Sequence, residues 1–88
     1  MIEQPQARRN RMIWRARRGA RELDGLLMPF AQEVAASGDA VLLDDFEKLL
    51  TYPDPLLLDW VFGRRKPEDP SMLRLIQSIL KAPNRPES

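Results

Sequence analysis

The chain has no cysteine and no histidine. Without cysteine, neither a disulfide nor a thiolate metal site can support the fold. Without histidine, the commonest general base and the commonest metal ligand are both missing, along with every Ser/His or Cys/His nucleophile arrangement. Glycine is scarce, four in 88 residues, and none of the four belongs to a GxGxxG or other phosphate-cradling loop. Carboxylates are plentiful, but nothing groups them beside a substrate-shaped glycine loop. Long apolar runs are missing too. Met12-Ile13-Trp14 is too short for the core of a secretory signal, and the arginine-rich start has no serine and no cleavage-site pattern. No run approaches the roughly 20 residues of a membrane helix. Strand-type alternation and hairpin turns do not occur. These absences point to a soluble, cytoplasmic, non-enzymatic protein that binds no cofactor and no metal of its own.

What is present is charge, and it is segregated. Residues 1–21 hold seven arginines against Glu3, a balance of +6. Residues 22–62 hold nine acids against Lys48, a balance of −8, and residues 63–88 hold six basic and three acidic side chains, a balance of +3. A basic arm of this kind serves nucleic acid, an acidic protein partner or a solvated helix face. Here the acidic middle can also answer the basic start within one fold.

Eighty-eight residues make one helical domain, 1–88, with an ordered core of about 6–82 and frayed ends at Met1–Pro5 and Pro86–Ser88. A core of this size is marginal unless it packs efficiently. The periodicity predicts five short helices. The first covers 6–18, with Met12, Ile13, Ala16 and Ala20 on one side, Trp14 beside them, and Arg11, Arg15 and Arg18 on a separate stripe. The second covers 22–36 on the stripe Leu23, Leu26, Leu27, Phe30, Ala31 and Val34. Pro29 sits inside it and should bend it. The third, 40–50, is capped by Asp39 and turns Leu42, Phe46 and Leu49 inward, with Asp44, Asp45, Glu47 and Lys48 facing water. Asp54-Pro55 and Asp69-Pro70 are cap-then-proline start signals for helices over 55–62 and 70–81. The fold class is therefore all-α, a compact, monomeric bundle of about five short helices. Trp14, Leu26, Leu27, Phe30, Phe46, Trp60, Val61, Ile76 and Leu80 are its expected core.

The densest charge cluster is Arg17-Arg18-Gly19-Ala20-Arg21-Glu22-Leu23-Asp24. Helical periodicity enters it from both sides, so Gly19 reads as the joint between two helices. Glycine can close a helix in a left-handed conformation and leaves bare backbone that another surface can approach. Arginine forks and a carboxylate beside that bare spot make a docking face. The plainer interpretation is a helix cap beside an i,i+4 pair, Arg18 with Glu22, contributing about 0.2–0.5 kcal/mol. A competing function is nucleic-acid binding, with arginines tracking phosphates and Trp14 stacking on a base. The acidic middle would repel a polyanion, and no helix-turn-helix spacing is present.

Arg18-Gly19-Ala20-Arg21-Glu22, followed by Leu23-Asp24, fits an RGxxE signature. Met28-Pro29-Phe30, Leu49-Leu50, Pro53-Asp54-Pro55, Trp60, Lys66-Pro67 and Leu75-Ile76-Gln77 follow in matching order and spacing. On these residues the chain resembles the SdhE family, small FAD assembly factors of succinate dehydrogenase with a YgfY-like helical fold. The resemblance covers about residues 8–80. One departure is Ala20, where members often carry methionine; an apolar contact is what it changes. The resemblance implies a chaperone that binds the immature flavoprotein subunit of succinate dehydrogenase, in some bacteria also that of fumarate reductase, and promotes covalent attachment of FAD to a histidine of that partner. It implies Arg18, Gly19, Arg21, Glu22 and Asp24 as the partner-binding residues. An antitoxin-like regulatory role, proposed for relatives, is a further alternative.

Overall fold

Each apolar stripe in the sequence becomes one helix. The computed structural model describes residues 5–81, which form α1 Pro5–Ala16, α2 Arg21–Ser37, α3 Ala40–Leu49, α4 Asp54–Val61 and α5 Pro70–Lys81, with no strand among them. The expected frayed residues outside this range, 1–4 and 86–88, lie outside the described residues. The boundaries follow local chemistry. Gly38 closes α2 in the left-handed region at φ 72°, and the Asp39 carboxylate accepts the Leu42 N–H at 3.1 Å to start α3. The Asp69 carboxylate accepts the Ser71 N–H at 2.8 Å and starts α5.

α2 packs against each of the other four helices. Its buried residues Leu23, Leu27, Phe30, Ala31 and Val34 form the spine of a core completed by Met12 and Ala16 of α1, Phe46 and Leu49 of α3, Leu57, Trp60 and Val61 of α4, and Met72, Leu75, Ile76 and Ile79 of α5. Two aromatic contacts tie the layers: Phe30 against Phe46 with ring centroids 5.5 Å apart, and Tyr52 edge-on to Trp60 at 4.9 Å. α2 stays helical through Pro29, which is half-buried.

Ion pairs complement the packing. The Arg8 guanidinium bonds Asp44 at 2.6 Å and Glu47 at 2.8 Å, so the start of α1 is fastened to α3. The pairing with Glu47 first, and Asp44 next, raises Arg8 above its ordinary value. Lys48 donates to Asp69 at 2.6 Å and joins α3 to the start of α5. That bond holds the Asp69 carboxyl below its ordinary value and raises the Lys48 ammonium above its own. The segregated charges therefore meet within the fold, and Glu47 is half-buried by its arginine, not freely solvated.

Five expectations are corrected here. Trp14 is 73% exposed, because α1 buries only the narrow Met12–Ala16 stripe and Trp14 stands about 200° round the helix from Met12. Leu80 is 37% exposed, at the edge of a buried stripe that ends with Ile79, and Leu26 is half-buried. Asp54 is the first residue of α4, not its cap: the Leu57 N–H bonds the Pro53 carbonyl at 3.1 Å, and the Asp54 carboxylate is drawn elsewhere. α1 stops at Ala16, so Arg18 lies outside both helices and makes no i,i+4 pair with Glu22.

Gly25 is exposed in the middle of α2, and a methyl group there would meet nothing within 4 Å. Gly25→Ala is expected to raise stability by about 0.5–1 kcal/mol by lowering the entropy lost on folding. A thermal melt followed by circular dichroism checks this; a lowered melting temperature would count against the position of Gly25 on the open face.

Candidate docking site at the joint between α1 and α2

The four residues between α1 and α2 turn the chain sharply back on itself. Arg17 donates its N–H to the Trp14 carbonyl at 3.1 Å, which closes the last turn of α1. Gly19 then takes φ 84°, a conformation that side-chain-bearing residues adopt with strain. Ala20 is extended, at φ −103° and ψ 121°, and is the N-cap of α2, although its side chain offers no cap bond. Asp24 supplies what Ala20 cannot. From the first turn of α2 its carboxylate reaches back to accept the Arg18 N–H at 2.7 Å and the Gly19 N–H at 3.3 Å. A carboxylate near a helix N-terminus is also favoured by the helix dipole.

Arg18 is turned inward. Its Nε donates to the Asp54 carboxylate at 2.8 Å, one terminal nitrogen donates to the Leu50 carbonyl at 2.9 Å and the Arg15 carbonyl at 3.1 Å, and the other donates to the Tyr52 carbonyl at 2.9 Å. Four of the five guanidinium donors are thus used inside the molecule. Its side chain is 16% exposed. The fork binds the joint to the turn between α3 and α4, where the carbonyls of Leu50 and Tyr52 would otherwise lack partners. The Asp54 carboxylate is spent on this contact, which is why it does not cap α4.

Arg21 and Glu22 are the opposite case. Both are exposed, both stand in the first turn of α2, and neither side chain has a hydrogen bond or ion pair among the described residues. Gly19 is exposed between Arg18 and this pair, with nothing within 4 Å of where a Cβ would stand. Of the five residues singled out in the sequence, three therefore offer free surface, Gly19, Arg21 and Glu22. Two, Arg18 and Asp24, hold that surface in shape. The sequence showed the residue types but not this division, because the acceptors of Arg18 lie 32–36 positions further along the chain. Among the described residues, no group of three or more carboxylates could hold a metal ion. No described helix is long and apolar enough to cross a membrane.

A small helical scaffold that presents bare backbone, a free guanidinium and a free carboxylate side by side has the features on which protein-binding modules dock. The family described as "Flavinator of succinate dehydrogenase" matches residues 10–83, and this chain belongs to it. Among curated relatives, the FAD assembly factor SdhE of Pseudomonas aeruginosa is 43% identical over 70 residues, covering 80% of this chain and 83% of its own length. The FAD assembly factor SdhE of Pseudomonas putida is 38% identical over 80 residues, covering 91% and 93%. That of Psychrobacter arcticus is 36% identical over 76 residues, covering 86% and 82%.

The division of labour is testable on stability alone. Arg18→Ala should cost about 2–4 kcal/mol, since it strands the Asp54 carboxylate and two carbonyls. That lowers the melting temperature by roughly 10 °C or more. Arg21→Ala should leave it within about 2 °C, as expected of an exposed side chain without partners. Equal effects of the two substitutions would overturn the assignment.

Proposed function

We propose that this chain is a FAD assembly factor: it binds the immature flavoprotein subunit of succinate dehydrogenase and promotes covalent attachment of FAD to it. Family membership supports the class of activity. The observation that carries the site is the left-handed, exposed Gly19 flanked by the unpaired Arg21 and Glu22. At this point a partner backbone can come close without meeting a side chain. Arg21 then meets carboxylate or carbonyl groups of the partner and Glu22 meets a basic group, each as a charge-assisted bond. Arg18 and Asp24 act through Gly19, by fixing the joint in the conformation the partner meets.

The chain acts by positioning and is not itself an enzyme. Binding favours the conformer of the flavoprotein in which the flavin and its acceptor histidine are aligned, and alignment alone lowers a barrier substantially. The factor donates no catalytic proton, in keeping with a sequence without histidine. The flavin becomes bonded to the partner, and this chain holds no cofactor. The flavoprotein of fumarate reductase, built for the same attachment, is a second client in this proposal. The factor works as a cytoplasmic monomer.

The nucleic-acid alternative loses support from the ion pairs. Arg8 and Arg18 are committed to Asp44, Glu47 and Asp54, which removes two of the seven arginines that would track phosphates.

Gly19→Arg is the sharpest test. An added side chain meets open space, so the cost to folding is the positive φ, about 1 kcal/mol. The variant should stay folded by circular dichroism yet fail to bind the flavoprotein, because a long charged chain then occupies the contact point. Covalent flavin, read as fluorescence of the denatured flavoprotein on a gel, should fall strongly in cells carrying only this variant. Gly19→Ala should be intermediate. Glu22→Ala should weaken flavinylation with the melting temperature nearly unchanged. Normal covalent flavin with Gly19→Arg would exclude the joint as the docking site.

A further inference from the structure

Among the described residues two large aromatic side chains stay outside the core, Trp14 in the last turn of α1, 73% exposed, and Phe62, 52% exposed, and Trp14 is the more open. It does not stand alone. With Ile13, Arg17 and Met28 it lines a groove of about 180 Å³ between α1 and α2. Arg17 lies over its ring at 5.9 Å, at the outer limit of a cation–π contact. The other strongly exposed large apolar residues differ in their setting. Phe62 has Arg64 over its ring at 5.0 Å, and that guanidinium is itself paired with Asp59. Val41 lies on the open side of α3, in a shallow depression rimmed by polar residues of α5.

Helix geometry makes this groove continuous with the joint. Met28 follows Arg21 by seven residues, so the two share one stripe along α2, and the exposed Gly25 stands between them on the same stripe. Trp14 and Arg17 precede Gly19 by five and two residues on the facing side. The surface thus runs from an apolar groove, across bare backbone at Gly25, to Arg21, Glu22 and Gly19.

We propose that Trp14 is the aromatic anchor of the docking face: the groove it forms with Ile13 and Met28 takes an apolar side chain of the flavoprotein partner, while carboxylates of that partner meet Arg17 and Arg21. This rests on the reading that the chain binds an immature flavoprotein. Size and charge select that occupant. A buried tryptophan contributes about 150–250 Å², whereas a stable interface needs about 800 Å² on each side. The groove alone is too small to hold a partner and must belong to a larger interface, and the joint is the surface it adjoins. The same guanidinium groups would face each other across a symmetric pair of copies, which disfavours self-association through this patch.

The test uses the full chain labelled with 5-fluorotryptophan, which gives two fluorine resonances, since the chain has two tryptophans. The apo flavoprotein subunit of succinate dehydrogenase is titrated in. The Trp14 resonance, assigned with Trp14→Phe, should shift on complex formation, while the Trp60 resonance should move little. Trp14→Ala should weaken binding by about 30-fold or more, the size of an interface hot spot, and Trp14→Phe should recover part of it. Arg17→Glu, an exposed change, should weaken binding by at least about tenfold, and it keeps the test valid if Trp14→Ala is poorly folded. If Trp14→Ala or a folded Arg17→Glu binds as the parent does while Gly19→Arg does not bind, the anchor is wrong and the docking reading stands. If the parent itself does not bind, both fail. A Trp14 shift that depends on the concentration of the chain alone, or on an added RNA oligonucleotide, assigns the groove to a second copy or to nucleic acid and overturns the proposal.

Discussion

The guanidinium of Arg18 is the contact on which the shape of the α1–α2 joint depends. It collects the Leu50 and Tyr52 carbonyls and the Asp54 carboxylate into one fork, and so joins the α1–α2 joint to the α3–α4 turn. Beside it, α1 is held by the Met12–Ala16 stripe in the core and, at its far end, by the Arg8 pairs. Charge-assisted bonds to backbone carbonyls suit this task, because they are directional where apolar packing is not. Asp24 completes the arrangement from the other side by accepting the Arg18 and Gly19 N–H groups. A left-handed glycine held by the Asp24 carboxylate, next to an arginine whose fork is fixed in turn, presents its backbone in one conformation. That preorganisation lowers the ordering cost of any partner that binds there.

The segregation of charge along the chain has a structural use and a leftover. The use is internal: basic α1 and its joint are fastened to the acidic α3 and α4 by Arg8 and Arg18. At the joint the leftover is Arg17, Arg21 and Glu22, which have no ion pair among the described residues. Sequence spacing treats all seven arginines of the arm alike. The fold sorts them by whether an acceptor arrives from a distant part of the chain.

Trp14 shows the same limit for apolar residues. Large aromatic side chains belong in cores on average, and that average favoured burial here. On the helical wheel Trp14 adjoins Ile13 but lies far round from Met12 and Ala16, and it is the side of Met12 and Ala16 that the core covers.

Much of the architecture was written in local signals. The five helices, their order, the stop at Gly38, the cap at Asp39 and the start at Asp69-Pro70 follow from periodicity and from backbone chemistry within a few residues. The left-handed joint at Gly19 is of the same kind, since the residue type and the helices on either side suffice to place it. What the tertiary structure alone decided was partnership. Arg18 faces inward and Arg21 outward, Asp54 serves a guanidinium instead of its own helix, and Trp14 lines an open groove. Each of these depends on which groups, tens of residues away, come within hydrogen-bond reach once the helices pack. Periodicity reports only the face on which a residue stands, whereas a bond also requires a partner at the right distance and angle.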